Sequence, residues 1–243
     1  MSGETSVLTV SDLSYHYGSL LVFEDVSFSV EAGEQVLLTG LNGAGKSTLL
    51  RCLAGIDAPS SGEILIGGSR LTGTSRKLRG QLSFVPDTPP FYADLTAEEH
   101  VQFILKANRA DERFEYTHRL IEAFELQQYL RHYPSTFSRG MRQKLALIIA
   151  LLLKPRLLLL DEPFAFLDKK AAAVLGSELA GGTNDGAAVV LSSHQDVPQL
   201  SFSKTLLLGE GRITQTGRGV PSDSLQGNEP DRLSSLSGQS SAG

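Results

Sequence analysis

Two stretches of this chain carry residue types at spacings that can do chemistry on a phosphorylated ligand. The first is Gly40-Leu41-Asn42-Gly43-Ala44-Gly45-Lys46-Ser47-Thr48, which fits G-x-x-x-x-G-K-[ST] with Gly40, Gly45, Lys46 and Ser47 in the fixed places. Backbone donors approach a polyphosphate closely only where side chains are absent, and Gly40, Gly43 and Gly45 leave that room. Lys46 would then reach the β- and γ-phosphates, and the Ser47 hydroxyl would ligate Mg2+. The second stretch is Leu157-Leu-Leu-Leu-Asp161-Glu162-Pro163. Adjacent carboxylates at the end of a buried strand are costly unless paired or close to a metal. They point to Asp161 as a Mg2+ ligand, directly or through water, and to Glu162 as the base or water-orienting group.

These residues need elements that hold them. Gln35–Thr39 is an apolar run that reads as a buried strand, and Leu49, Leu50 and Leu53 have helical spacing up to Gly55. Strand, glycine loop and helix together aim the loop N–H groups and the positive helix end at a phosphate. In a doubly wound sheet the carboxyl ends of the strands face the ligand crevice, which would bring Asp161 and Glu162 to the loop. Further strands are expected at 63–66, 82–85, 187–191 and 204–208, the last closing a hairpin with 212–214. Before the glycine loop, 7–30 reads as short strands with turns. Tyr17, just before Gly18, is either an aromatic of that β core or a platform for a purine.

From Thr96 the period changes. Thr96-x-x-Glu99 is a capping box, followed by a helical stripe of Val101, Ile104 and Leu105. A second helix is expected over about 111–130 with Phe114, Ile121 and Phe124 on one side, and a third over 138–153. A mainly helical block of about 96–152 is thus inserted between strands. Another helix, 171–180, is expected to stop at Gly181-Gly182. Residues 218–243, rich in Ser, Gly, Asp and Asn, read as a disordered tail.

Bulk properties narrow the function. A chain of 243 residues with 41% hydrophobic content suits one large domain or a domain with a subdomain. Net charge is −5 with no long basic run, so no nucleic-acid partner is expected. Cys52 is the only cysteine, which rules out an intrachain disulfide. The longest apolar run, 145–153, is too short to span a bilayer, so the chain is expected to be soluble on its own and, if it works at a membrane, to dock onto something else that spans.

Taken together, residues 7 to about 217 resemble the nucleotide-binding subunit of an ATP-binding cassette (ABC) transporter. The most specific part is Phe137-Ser138-Arg139-Gly140-Met141-Arg-Gln-Lys144, which matches the family's signature loop, usually L-S-G-G-Q followed by basic and glutamine residues. A Ser and a Gly at a helix N-terminus suit a second anion site. The resemblance implies an α/β fold: a phosphate-loop NTPase core with an N-terminal antiparallel β subdomain and an inserted α-helical subdomain. It implies ATP and Mg2+ as ligands, and hydrolysis coupled to transport at the cytoplasmic face of a membrane. Its implied partners are an integral membrane permease and a second nucleotide-binding domain, identical or homologous. The loop of one copy would face Ser138 and Gly140 of the other across a head-to-tail sandwich.

Other roles follow residue by residue from the resemblance. Tyr17 matches the aromatic that stacks on adenine, Asp168 the loop that crosses the dimer interface, and His194 the histidine that contacts the γ-phosphate. Three departures stand out. Asp87 replaces the usual Gln, and an acid there can ligate Mg2+. Arg139 and Met141 replace the usual Gly and Gln, a variant that looks like export-type subunits. Phe166 is bulkier than the usual small residue of the crossing loop. The implied function is ATP-driven transport, in the export direction. The rival is a soluble cassette ATPase acting on a macromolecular assembly.

Overall fold

A computed structural model describes residues 6–72, 78, 80–194 and 200–216. The expected tail, 218–243, lies outside the described residues.

Two sheets organise the fold. β1 (Leu8–Tyr17), β2 (Leu20–Val30), β4 (Ser61–Ile66) and β5 (Ser69–Arg70) pair antiparallel in the order β2-β1-β4-β5. β3 (Gln35–Thr39), β6 (Leu82–Val85), β7 (Leu157–Leu160), β8 (Ala188–Ser192), β9 (Lys204–Gly209) and β10 (Arg212–Thr216) form the second, in the order β10-β9-β3-β8-β7-β6. This sheet is parallel except for the β9–β10 hairpin. The expected parallel α/β core beside an antiparallel N-terminal β layer is therefore the architecture observed.

The parallel strands read as unbroken apolar runs because both faces are covered. In β7, Leu158 and Leu160 enter one core while Leu157 and Leu159 enter the other. β8 divides the same way, with Val189 and Leu191 on one side and Ala188 and Val190 on the other. The first core lies under the helices α2 (Ala97–Ala107), α3 (Phe114–Ala123), α4 (Arg139–Leu152) and α5 (Lys169–Asn184). The second joins the antiparallel sheet to α1 (Lys46–Leu53). Each fully buried leucine contributes about 1.5–3 kcal/mol. Arg212 Nη2 to Glu24 Oε1 (2.8 Å) and Glu24 N–H to Gly211 O (2.7 Å) tie the two sheets together at the hairpin.

The inserted helices lie between β6 and β7. The capping box forms: Thr96 Oγ1 accepts from Glu99 N–H, and Glu99 Oε2 accepts from Thr96 N–H at 2.8 Å. Two expectations change. The helix read over 111–130 is instead a 3-10 turn (Asp111–Arg113), then α3, then a second 3-10 turn (Gln127–Tyr129). Glu125, at φ 58°, breaks the helical path, and Phe114 is exposed rather than sharing the buried face of Ile121 and Phe124. The helix expected to stop at Gly181-Gly182 continues to Asn184. Two glycines cost about 1 kcal/mol each in a helix. Burial of Leu179 and Thr183 offsets that cost, and Gln35 Nε2 holds the Thr183 hydroxyl at 3.0 Å. Among the described residues no helix is long and apolar enough to cross a membrane.

Candidate functional site

The glycine loop joins β3 to α1, and its glycines are required by shape. Gly40, Gly43 and Gly45 have φ of 147°, 79° and 102°. A Cβ on Gly40 would strike the Leu208 carbonyl, and one on Gly45 would lie 2.6 Å from Val22 Cγ1. Gly45 is the N-cap of α1, with no side-chain cap and no acid in the first turn, so the helix end is open to an anion. The Lys46 ammonium is buried and donates to Gly40 O (2.9 Å) and Leu41 O (3.1 Å). Burial lowers its pKa, while Glu162 and Asp161 act in the opposite direction.

Asp161 directly follows β7 and is buried. Its Oδ1 accepts from the Ser192 hydroxyl at 2.7 Å, and Ser192 Oγ accepts the Glu162 N–H at 2.9 Å. Glu162 sits at φ 47°, a left-handed conformation unfavourable for a side chain, which turns its carboxylate away from the strand line. Its Oε2 accepts the His194 N–H at 3.3 Å, and its Oε1 lies 3.2 Å from His194 Nε2. Burial pushes the Glu162 carboxyl up, against the pull of His194 and Lys46.

These groups line one cleft of ≈ 550 Å³. The structure brings Tyr17, Asn42, Gly43, Gly45, Lys46, Ser47, Thr48, Asp87, Asp161, Glu162 and His194 to it. Tyr17 is not a core aromatic: it is 53% exposed, edge-on to Tyr15 at 4.9 Å, while Tyr15 packs on the core. Gly40 and Leu41 form the turn beneath Lys46, and Ala44 packs on the core. Leu20 and Val22 also line the cleft, and sequence reasoning missed them along with Ser192. The signal for Ser192 was a hydroxyl ending a strand that is otherwise apolar.

The donor set suits Mg2+. Ser47, Asp161 and Asp87 offer hard oxygens, and no cluster of three His, Cys, Asp or Glu occurs among the described residues. Mg2+ characteristically takes one or two carboxylates and completes its shell with water and substrate phosphates.

Ser138, Gly140 and Asp168 do not line this cleft. Ser138 caps α4, its hydroxyl accepting from Met141 N–H at 3.2 Å. Asp168 caps α5, accepting from Ala171 N–H at 2.8 Å, and pairs with Lys144 Nζ at 2.7 Å. The Lys144 bond holds the Asp168 carboxyl below its ordinary pKa. A cleft completed by Ser138 and Gly140 therefore needs a second copy or a homologue.

A larger groove of ≈ 780 Å³ opens beside edge strand β6, lined by Ile56, Pro89, Phe91, Tyr92, Phe103 and Ile149 among others. Its wall is fixed by His100, whose Nδ1–H donates to Thr96 O (2.8 Å) while Nε2 accepts Tyr92 N–H (3.0 Å). Arg142 reaches Pro89 O at 3.2 Å and lies 5.8 Å from the Phe91 ring centroid.

Comparison with known proteins agrees with this geometry. The family model described as "ABC transporter" matches residues 23–165. The chain is 36% identical over 194 residues to the ABC-type transporter ATP-binding protein EcsA of Bacillus subtilis, covering 78% of this chain and 77% of that one. It is 34% identical over 217 residues to the sulfate/thiosulfate import ATP-binding protein CysA of Mycobacterium tuberculosis, covering 88% of this chain but only 62% of that relative. A solved ATP-binding subunit of an ABC transporter superposes with a TM-score of 0.84 at 35% identity, over 90% of this chain and 98% of that one. Loop, acidic strand end and signature helix thus occur together in a fold that similar proteins share, and the chain belongs to the ABC transporter family of ATP-binding proteins.

Proposed function

We propose that this chain hydrolyses Mg-ATP to energise a membrane permease in the export direction, and that residues 7–217 act as one nucleotide-binding domain with 96–152 as its helical subdomain. The observation that carries this reading is the convergence of Lys46, Asp161, Glu162 and His194 in one cleft. Tyr17 stacks on adenine, and the N–H groups of the Gly40–Thr48 loop hold the phosphates. Lys46 exchanges the Gly40 and Leu41 carbonyls for the β- and γ-phosphates. Ser47, Asp161 and Asp87 hold Mg2+, which neutralises phosphate charge when bound. Glu162 takes a proton from the attacking water, and burial that favours its protonated form strengthens it as that acceptor. His194 meets the γ-phosphate and braces Glu162.

Ser138 and Gly140 of a second cassette cover the nucleotide, and Asp168 stands at the crossing between the two. The apolar groove beside β6 receives a short permease helix at the cytoplasmic face. Arg139 and Met141 in the signature favour export. CysA, one of the relatives, is an import protein by name, and this chain spans about three-fifths of it.

Glu162→Gln tests the reading. It should bind ATP, hydrolyse it at least about 100-fold more slowly, and co-purify with ATP as a closed pair on a multi-span membrane protein. Normal turnover removes Glu162 as the base. Recovery with no integral membrane protein favours the soluble cassette ATPase. Direction is read in vesicles holding the co-purified permease: ATP-dependent accumulation inside inverted vesicles means export.

A further inference from the structure

Two of the departures from the family pattern meet in space. The Arg139 guanidinium lies 5.3 Å from the centroid of the Phe166 ring. Beside this contact the helix and the crossing segment touch through backbone, since a Cβ on Gly140 would stand 2.7 Å from Phe166 O. One turn along α4, Lys144 pairs with Asp168 at 2.7 Å. The start of α4 therefore grips the crossing segment at 166 and again at 168.

The other end of that segment is Glu162. Between the two ends the chain folds through two tight turns, Ala165 N–H to Glu162 O and Leu167 N–H to Phe164 O, both 3.2 Å. A sideways shift of Phe166 along α4 must be absorbed by these two turns or reach Glu162. Gly140 sets the closest approach, the Lys144–Asp168 pair anchors the far end, and the Arg139–Phe166 stack fixes the sideways register. Arg139 and Phe166 are both exposed, so burial does not hold them there.

We propose that Arg139 and Phe166 are positioning residues for hydrolysis: their stack registers the crossing segment on α4 and so holds the Glu162 carboxylate in place. The inference rests on Glu162 being the base. Neither residue touches the substrate of its own cleft. A cation–π contact at an exposed site corresponds to about a two- to fivefold change in rate.

The test is a double-mutant cycle on the full chain. Steady-state ATP hydrolysis is measured for Arg139→Ala, Phe166→Leu, their combination, and Phe166→Tyr. Each disrupting single variant should lower kcat about two- to fivefold with KM unchanged, and the double should be no worse than either single. Phe166→Tyr keeps a ring and should match the parent. Thermal midpoints should fall by no more than the few degrees that loss of one exposed contact explains, and to the same extent in both disrupting single variants. An unchanged kcat, additive effects, loss confined to KM, or a fall in kcat that tracks a larger fall in thermal midpoint each overturn the proposal. Glu162→Gln, measured alongside, separates the two ideas. If it turns over normally, the base assignment falls and this inference with it. If it is inactive while the stack variants behave as the parent, only the stack's role is lost.

Discussion

The Ser192 hydroxyl stands 2.7 Å from Asp161 Oδ1 and donates to it, while its oxygen accepts the Glu162 N–H at 2.9 Å. One side chain from β8 thus fixes the carboxylate that follows β7 and the backbone of the residue after it. It sits on the neighbouring strand and is itself fully buried. Ser192→Ala leaves the buried Asp161 carboxylate oxygen without its donor, at a cost of about 1–3 kcal/mol, and removes the acceptor of the half-buried Glu162 N–H. The expected result is a lower urea midpoint, together with a fall in kcat larger than the fall in nucleotide affinity, because the acids move while the glycine loop stays.

Gly45→Ala should be worse for binding than for any other property. The position requires φ 102°, and the new methyl would meet Val22 Cγ1 at 2.6 Å. Left-handed strain of about 1–2 kcal/mol adds to overpacking of about 1–3 kcal/mol. Val22 lines the cleft, so relief of the clash deforms the nucleotide wall. Titration with a fluorescent ATP analogue should show affinity reduced by at least about tenfold, and an unchanged affinity would contradict the close approach of Gly45 to Val22.

The sequence carried the parallel core, the glycine loop and the acidic strand end because each is contiguous. A strand of four leucines followed by Asp161 announces itself without partners. Ser192 did not, since its role depends on a neighbour 31 residues away in the chain. The same holds for α5, which passes through Gly181 and Gly182 because Gln35, 148 residues from Thr183, holds the end of the helix. Arg139 and Phe166 were each visible as departures, but their stacking was not, since nothing local in either stretch refers to the other.

Asp57 links stability to pH. The Arg51 guanidinium grips it with Nε at 2.7 Å and Nη2 at 2.8 Å, and this holds its carboxyl below the ordinary aspartate value of about 3.9. The unfolded chain therefore binds the proton first. The pair's contribution is complete above the unfolded pKa and is lost as pH falls through the lower folded one. Arg51 is about half exposed, so solvent screening limits the contribution to about 0.5–1 kcal/mol. Asp57→Asn should be less stable than the parent by that amount at neutral pH, and the difference should shrink as the pH drops well below 4. Denaturant unfolding across that range checks the sign as well as the size.

The groove beside β6 should fail when it is charged. Its lining is apolar and aromatic, and of the two guanidinium groups beside it Arg51 is already neutralised by Asp57 while Arg142 is engaged with Pro89 O and the Phe91 ring. Phe103 lines it with 46% of its surface exposed, so Phe103→Glu changes the lining without emptying a core. A carboxylate buried there by an apolar helix would lose its water and could gain a partner only by drawing Arg142 off Pro89 O, so it would cost several kcal/mol. Association with the permease should weaken by at least about 100-fold, while the chain alone still binds ATP through a cleft to which Phe103 does not contribute. Phe103→Leu preserves apolar surface and should keep association within about tenfold. Equal loss in both variants would mean that ring shape, not the absence of charge, governs docking; no loss in either would place the permease elsewhere on the surface.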